Sequence, residues 1–354
     1  MNPDRSAAAP ESILVAAART GDEAAFAQLV APYHRELLAH GYRMLGSVQD
    51  AEDAMQDALL GAWRGLPGFE ARSSVRTWLY RITTNACVKA GQRRPKRLVS
   101  MDFHPAFEDV WQLGEVNPEL SWLEPIPGAL LAGAETTANP AARYELRESV
   151  ELAFVAALQH LPATQRAVLI LRDVLAFSAA EVAQTLDTSV ASVNSALQRA
   201  RAALAGRVQG ESQQATLRRL GEQRQRELVA TFIAAWERAD VPALLDLLVE
   251  DARFTMPPVP AWFQGHDSIA RFIRERYFAT PWRMLPASAN GQLAIACYQE
   301  KPDLPVYPLS AVNVLTLRGD RIAEITGFID PGRYTYFDLP PDLPALDLRQ
   351  FPLA

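Results

Sequence analysis

Between Ser178 and Leu204 the chain reads SAAEVAQTLDTSVASVNSALQRARAAL. Its second half gathers Ser189, Ser192, Asn194, Ser195, Gln198, Arg199 and Arg201, with no acid after Asp187. Short hydroxyl and amide side chains bond to base edges, and arginine bonds to guanine or to phosphate. The chemistry on offer is therefore contact with a nucleic-acid groove, not the making of a bond. The spacing supplies a carrier for it. Ser178 and Glu181 form a capping box ahead of a short helix burying Val182 and Leu186. DTS turns the chain, and a second helix buries Val193, Leu197, Ala200 and Leu204. This is a helix-turn-helix pattern. The polar, solvated face of an ordinary helical bundle has the same composition, so this stretch alone leaves both readings open.

A second constellation lies upstream. From Ala71 to Met101 there are eight cations (Arg72, Arg76, Arg81, Lys89, Arg93, Arg94, Lys96, Arg97) and no acid. Trp78 and Tyr80 are interleaved with them, as suits stacked bases and neutralised phosphates of a single strand. Trp78 also falls on an apolar helix face, so a core role competes. From Val99 to Ala142 the balance inverts: Asp102, Glu108, Asp109, Glu115, Glu119, Glu124 and Glu135, with no Lys or Arg. The net charge of −6 hides this segregation, which says more about partners than the sum does.

The elements that must hold these groups follow from period and punctuation. Phe26, Leu29, Val30, Leu37, Leu38, Met44 and Leu45 repeat at helical spacing, with Pro32 as a kink and Gly46 as a stop. Ala51, Ala54, Met55, Ala58, Leu59, Ala62, Trp63 and Leu66 form the apolar face of a next helix. Asp50, Glu52, Asp53, Gln56 and Asp57 take its start and its other side, where carboxylates suit the helix dipole. A third helix starts at Ser73 or Ser74 and buries Trp78, Leu79, Ile82 and Ala86. Residues 99–139 carry prolines, acids and Phe103, Phe107, Trp111 and Trp122, and read as a long acidic linker. A long helix is expected near 141–161, before the helix-turn-helix.

After residue 209 the pattern changes. One helix is expected from about Gln213 to Ala239, then a short one. Strand-like runs follow at ARFTMPP, WRMLPASA, LAIACYQE, SAVNVLTLRG and DRIAEITGFID, with ANGQ and RGDR as hairpin turns. HDSIARFIRERYF lies among them as a helix. This predicts an α+β unit with helices on one curved antiparallel sheet. With 354 residues, more than one domain is expected. Cys87 and Cys297 offer neither a disulfide framework nor metal-ligand spacing, and no metal or cofactor is expected. With no signal-peptide pattern and no apolar run of membrane-spanning length, the expected setting is cytoplasmic, away from membrane.

DAEDAMQDALLGAW, RTWLYRITTNACVKAGQRR and LPATQRAVLILRDVLAFSAAEVAQTLDTSVASVNSALQRARAAL resemble regions 2 and 4 of bacterial extracytoplasmic-function sigma factors, in the right order. The resemblance implies roles by position. Asp50, Glu52, Asp53, Gln56 and Asp57 would dock on the β′ clamp helices of core RNA polymerase. Arg72, Ser73, Ser74, Arg76, Thr77, Asn85, Lys89, Arg93 and Arg94 would grip the −10 element and a flipped base. Ser189, Ser192, Asn194, Ser195, Gln198, Arg199 and Arg201 would read the −35 element of promoter DNA, with region 4 placed at the β flap. The linker would run through polymerase channels, its acids mimicking a nucleic-acid backbone.

The C-terminal part looks like a SnoaL-like domain, a cone-shaped fold, serving as a built-in regulator through contact with the sigma domains. The implied fold class is multidomain: two all-α sigma domains plus an α+β SnoaL-like domain. The expected segments are a tail at 1–20, region 2 at 21–98, the linker at 99–139, region 4 at 140–208, the SnoaL-like domain at 209–335 and a Pro-rich tail at 336–354. Phe254, Met256, Trp262, Phe272, Trp282, Tyr298 and Phe328 are candidates to line a pocket for an unknown ligand. Asp251, His266 and Asp267 fit caps and turns, so no catalytic residue is assigned and the chain is not read as an enzyme. Two other readings stay open: a stand-alone helix-turn-helix regulator that senses a small molecule, and an enzyme tethered to DNA.

Overall fold

The computed structural model describes residues 10–102, 104–117, 119–133, 146–207, 210–329 and 335–344. Phe103, Pro118, Glu135, the first nine residues, the expected helix over 141–145, the 208–209 junction and the tail from 345 lie outside this range. In chain order the elements are α1 (Glu11–Arg19), α2 (Glu23–Val30), α3 (His34–Leu45), α4 (Val48–Gly65), α5 (Val75–Arg93), β1 (Arg97–Leu98) and β2 (Ser121–Trp122). Next come α6 (Leu152–Gln159), α7 (Ala163–Leu169), α8 (Ala179–Thr185), α9 (Val190–Leu204), α10 (Gln213–Glu237) and α11 (Val241–Asp246). The last part holds β3 (Leu248–Thr255), β4 (Trp262–Gln264), α12 (His266–Phe272), β5 (Trp282–Ala289), β6 (Gln292–Gln299), β7 (Val306–Arg318), β8 (Arg321–Phe328) and β9 (Asp342–Pro344). The described residues form two compact units: one from 10–94, 132–133 and 161–202, the other from the described parts of 95–131, 146–160 and 203–344.

The first unit is all helical. A 3₁₀ turn at Ala31–Tyr33 contains Pro32, and Gly46 ends α3 at φ 68°, in the left-handed region. Ser47 caps α4 through the Asp50 amide at 3.1 Å, and Ser74, not Ser73, caps α5 through the Thr77 amide at 3.1 Å. The capping box of α8 forms in both directions: Ser178 N donates to Glu181 Oε2 at 2.8 Å, and Glu181 N donates to Ser178 Oγ at 3.2 Å. Arg166, buried, donates to the carbonyls of Met44 and Leu161 and ties α7 to α3.

The second unit is built on a sheet in the order β4-β3-β8-β7-β6-β5, with β9 paired to β7. It is mixed, not wholly antiparallel as expected, because β3 runs parallel to β8. The β5–β8 meander leaves β8 with an open edge, and β3 fills it. The ANGQ hairpin forms as read: Ala289 pairs with Gln292, and Asn290 and Gly291 both take positive φ, 55° and 67°.

Two helices differ from expectation. The one expected over 141–161 is interrupted, because Glu151 is extended (ψ 140°) and α6 begins only at Leu152. The one expected over 213–239 breaks at Gly221 (φ 76°, ψ 154°), a conformation open to glycine. Helices α10, α11 and α12 cover one face of the sheet, packing Phe232, Trp236, Leu244, Ile269 and Phe272 against Phe254, Ile295, Cys297, Leu315 and Ile325.

Candidate nucleic-acid interface

Helix α9 buries Val193, Ala196, Leu197 and Ala200. All seven polar candidates around them, Ser189, Ser192, Asn194, Ser195, Gln198, Arg199 and Arg201, are exposed. At about 100° per residue, Ser195 and Gln198 point away from the core, with Asn194, Ser192 and Arg199 on the flanks. Ser189 is spent on the helix start, accepting from the Ser192 amide at 3.1 Å. Arg199 reaches Ser195 Oγ at 2.7 Å and stays on the outward face. Arg201 lies nearer the core edge and pairs with both oxygens of Asp173, at 2.7 and 2.9 Å. It is the least available of the seven. Val190 and Ala191, also exposed, open the helix beside these groups. Their apolar type hid them from a search for polar readers.

The basic stretch is divided by its structure. Lys89 and Arg93 are exposed on α5, while Arg72 is exposed and paired with Glu70 at 2.5 Å. Arg76 is committed internally. It bonds both oxygens of buried Glu36 at 3.0–3.1 Å and sits 4.8 Å over the Tyr80 ring. Tyr80, read as a possible stacking surface, is buried: its hydroxyl donates to Glu36 at 3.4 Å and its ring meets Phe177 edge-on at 5.5 Å. Trp78, expected among the buried positions of α5, is only half-buried, against Phe69. Asn85 donates to the carbonyl of Thr185 at 3.1 Å, so in this unit α5 is joined to the end of α8. Ser73 is half-buried, and the Ser74 hydroxyl meets that of Thr77 at 2.9 Å. His40, buried and bonded to Thr84 at 2.9 Å, is driven down to about 3 by burial, with the Arg43 and Arg76 charges adding. Cys87 is inert, its thiol pushed up to about 12 by burial.

On α4, Asp53, Gln56 and Asp57 are exposed and Glu52 is half-buried. Asp50 and Asp53 both pair with Arg94, so a −10 candidate is tied to two docking candidates and one negative charge is left over. Leu60, 54% exposed, continues the Asp53–Gln56–Asp57 stripe. Sequence reasoning missed it, although i, i+3, i+4, i+7 counting from Asp53 reaches it.

In the second unit the acidic segment packs on the sheet. Val110, Leu123 and Ile126 are buried, and β1 pairs with β2. Arg97 bonds Glu124 at 2.6 Å. The β5–β6 turn is the hub. The Ile126 and Asn290 residues exchange bonds: Asn290 N donates to Ile126 O at 2.8 Å, and Ile126 N donates to Asn290 Oδ1 at 3.1 Å. Asn290 Nδ2 donates to Val150 O at 2.9 Å, and Leu152 N donates to Gln292 Oε1 at 2.8 Å. Glu151 accepts from Gln214 N at 2.8 Å, capping α10. Burial lifts its carboxyl to about 7 against those amide bonds, with Glu148 adding.

Of the seven pocket candidates, Phe254, Met256, Phe272 and Trp282 belong to the cluster under the helices. Trp262, Tyr298 and Phe328 do not. Strand alternation turns them to the opposite face: Trp262 pairs with Thr255 next to Phe254, Tyr298 follows Cys297, and Phe328 pairs with Val312 next to Ala311. There Trp262 Nε1 donates to His104 O at 2.8 Å and Tyr298 to Pro340 O at 3.0 Å. Asp251 is exposed and paired with Arg318, and His266 bonds the Val249 carbonyl at 3.0 Å. Among the described residues no helix is long and apolar enough to cross a membrane.

Comparison with known proteins gives this geometry a context. Sigma-70 region 2 matches residues 29–96, Sigma-70 region 4 matches 151–204, and the SnoaL-like domain matches 229–325. The ECF RNA polymerase sigma factor SigG of Mycobacterium tuberculosis is 41% identical over 329 residues, covering 92% of this chain and 86% of that protein. The ECF RNA polymerase sigma-E factor of Escherichia coli is 30% identical over 204 residues, 56% of this chain and 94% of that protein. The crystal structure of the M. tuberculosis extracytoplasmic function sigma factor SigJ shares the fold, with a TM-score of 0.57 at 21% identity over 87% of this chain and 98% of that one. A region 2 match disfavours a stand-alone helix-turn-helix regulator. The chain belongs to the ECF RNA polymerase sigma factors and carries a C-terminal SnoaL-like domain.

Proposed function

We propose that the chain binds core RNA polymerase in the cytoplasm and directs it to promoters. Asp53, Gln56, Asp57 and Leu60, with Glu52 and Asp50, dock on the β′ clamp helices, and region 4 lies at the β flap. Ser192, Asn194, Ser195, Gln198 and Arg199 read the −35 element, with Ser189 and Arg201 at the edges of that face. Lys89, Arg93, Arg72, Ser73, Ser74, Thr77 and Asn85 serve the −10 element, and Arg76 and Arg94 join them on release from their carboxylates. The C-terminal domain regulates the sigma modules by holding the linker and the start of region 4, and no step of catalysis is assigned to the chain. The observation that carries this reading is the joint exposure of all seven polar side chains around a buried α9 seam.

The test is run-off transcription with core polymerase and the full-length chain. Arg199→Ala is expected to cut output from a cognate promoter. Lost output accompanied by retained −35 binding would overturn the assignment of α9.

A further inference from the structure

The turn before α9 and the first turn of that helix stand clear of the helical unit. Every residue from Asp187 to Ser192 is exposed. One of them is large and apolar: Val190, at 44%. A β-branched side chain loses χ1 freedom in a helix, so local propensity gives no reason for valine there. The burial that keeps Val193 and Leu197 apolar does not reach it. Ala191 beside it is exposed as well, and from Val190 to Arg199 every other exposed side chain is polar. The helix thus begins with a small aliphatic tip and continues as a polar face.

The helical period places this tip among the DNA-reading candidates. Ala191 shares the outward line with Ser195 and Gln198, at i, i+4 and i+7, and Val190 shares a flanking line with Asn194, at i+4. The hydroxyls next to the tip are engaged with each other. Ser189 Oγ donates to Ser192 Oγ at 3.0 Å and accepts from the Ser192 amide at 3.1 Å. One turn further on, Ser195 Oγ accepts from Arg199 at 2.7 Å. What the start of α9 presents to a partner is therefore chiefly methyl surface, with the amide of Asn194 one turn behind it.

A recognition helix lies in the major groove with its first residues against base edges. Those edges carry hydrogen-bond donors and acceptors and one apolar group, the C5-methyl of thymine. Aliphatic side chains have no hydrogen bond to offer and match that group alone. Resting on the −35 role given to α9, we propose that Val190, backed by Ala191, reads a thymine methyl in the −35 element. Thymine at that position is then selected by an apolar contact and not by a hydrogen bond. Val190 becomes a specificity-determining residue beside the polar ones, and its contact is uncharged, so the discrimination it gives persists at salt concentrations that weaken phosphate contacts.

The experiment titrates holoenzyme, assembled from core polymerase and the full-length chain, against a promoter fragment that it transcribes in run-off assays. Each thymine of the −35 element, on either strand, is replaced in turn by deoxyuridine, which differs only in lacking the methyl. One replacement is expected to weaken binding about fourfold, the worth of one buried methyl. Val190→Ala should weaken binding to the thymine fragment by a similar factor and bind that uracil fragment as the wild-type chain does, so the preference shrinks towards one. Alanine is the better helix former, so a melting temperature no lower than wild type is expected. Uracil fragments that all bind like the thymine fragment would overturn the methyl contact and leave −35 reading by the polar groups standing. So would a uracil penalty undiminished in Val190→Ala. If Arg199→Ala and Val190→Ala both bind the promoter as wild type does, the −35 role of α9 fails and the methyl contact fails with it.

Discussion

Replacing Asn290 with alanine tests whether the β5–β6 turn locks the linker to the start of region 4. The substitution deletes the acceptor for Ile126 N and the donor to Val150 O. Two net hydrogen bonds are worth about 1 kcal/mol each, and the desolvation of the partners left unpaired carries the loss to about 3 kcal/mol before relaxation. Alanine at φ 55° adds backbone strain that asparagine tolerates. The total is about 2–4 kcal/mol. At about 1.4 kcal/mol per tenfold, amides protected by the lock should exchange about 30- to 700-fold faster.

The decisive amides are those the mutation does not touch. Leu152 N still has Gln292, and Leu123 N still has Leu98 O at 3.0 Å. Residue-resolved hydrogen exchange on the full chain reads them. If the turn is a cooperative lock, both accelerate with Ile126. Acceleration of Ile126 alone, with Leu123 and Leu152 unchanged, would refute the lock and reduce Asn290 to a local cap.

Asp57→Lys should weaken core-polymerase binding at least tenfold in a titration without lowering the melting temperature, since Asp57 is exposed on α4. Asp53→Lys should also set a second cation beside Arg94, which Asp50 still holds, and this makes it the less clean variant. Arg199→Ala should lower −35 affinity; if Arg199 meets phosphate, the salt slope falls by about one, equally for all sequences. Arg201→Ala should have the smaller effect on DNA, because Asp173 already holds that guanidinium.

Titration should act oppositely on the two units. His40 stays neutral down to about 3 in the folded first unit, whereas the unfolded chain takes the proton near 6.5. That unit therefore loses stability as pH falls from about 6.5 towards 3, and His40→Gln should flatten the loss. Glu151 keeps its proton up to about 7, against 4.5 when unfolded, so its contribution is full below 4.5 and is lost as pH rises to 7. Glu151→Gln should remove that slope from denaturation of the second unit.

The helix-turn-helix was legible because its information is local. A capping box, a turn and one apolar seam lie within 27 residues, and α9 formed with its polar face outward. The hairpin at Asn290–Gly291 was legible for the same reason. What escaped depends on distant partners. The burial of Tyr80 needs Glu36 and Phe177. The docking of Val110 and Ile126 needs a sheet assembled much later in the chain, and no period marks an irregular, Pro-rich segment as buried. The parallel β3–β8 pairing is likewise non-local. The two faces of the sheet were within reach: alternation along β6 alone separates Tyr298 from Cys297.

The lock between Ile126 and Asn290 spans 164 residues, and this has a consequence in time. Synthesis at about 5–20 residues per second puts about 8–33 s between the emergence of one partner and the other. During that interval both promoter-reading modules can fold while the linker has nothing to close on. Each new chain thus spends that interval on the ribosome with its linker not yet held by the β5–β6 turn.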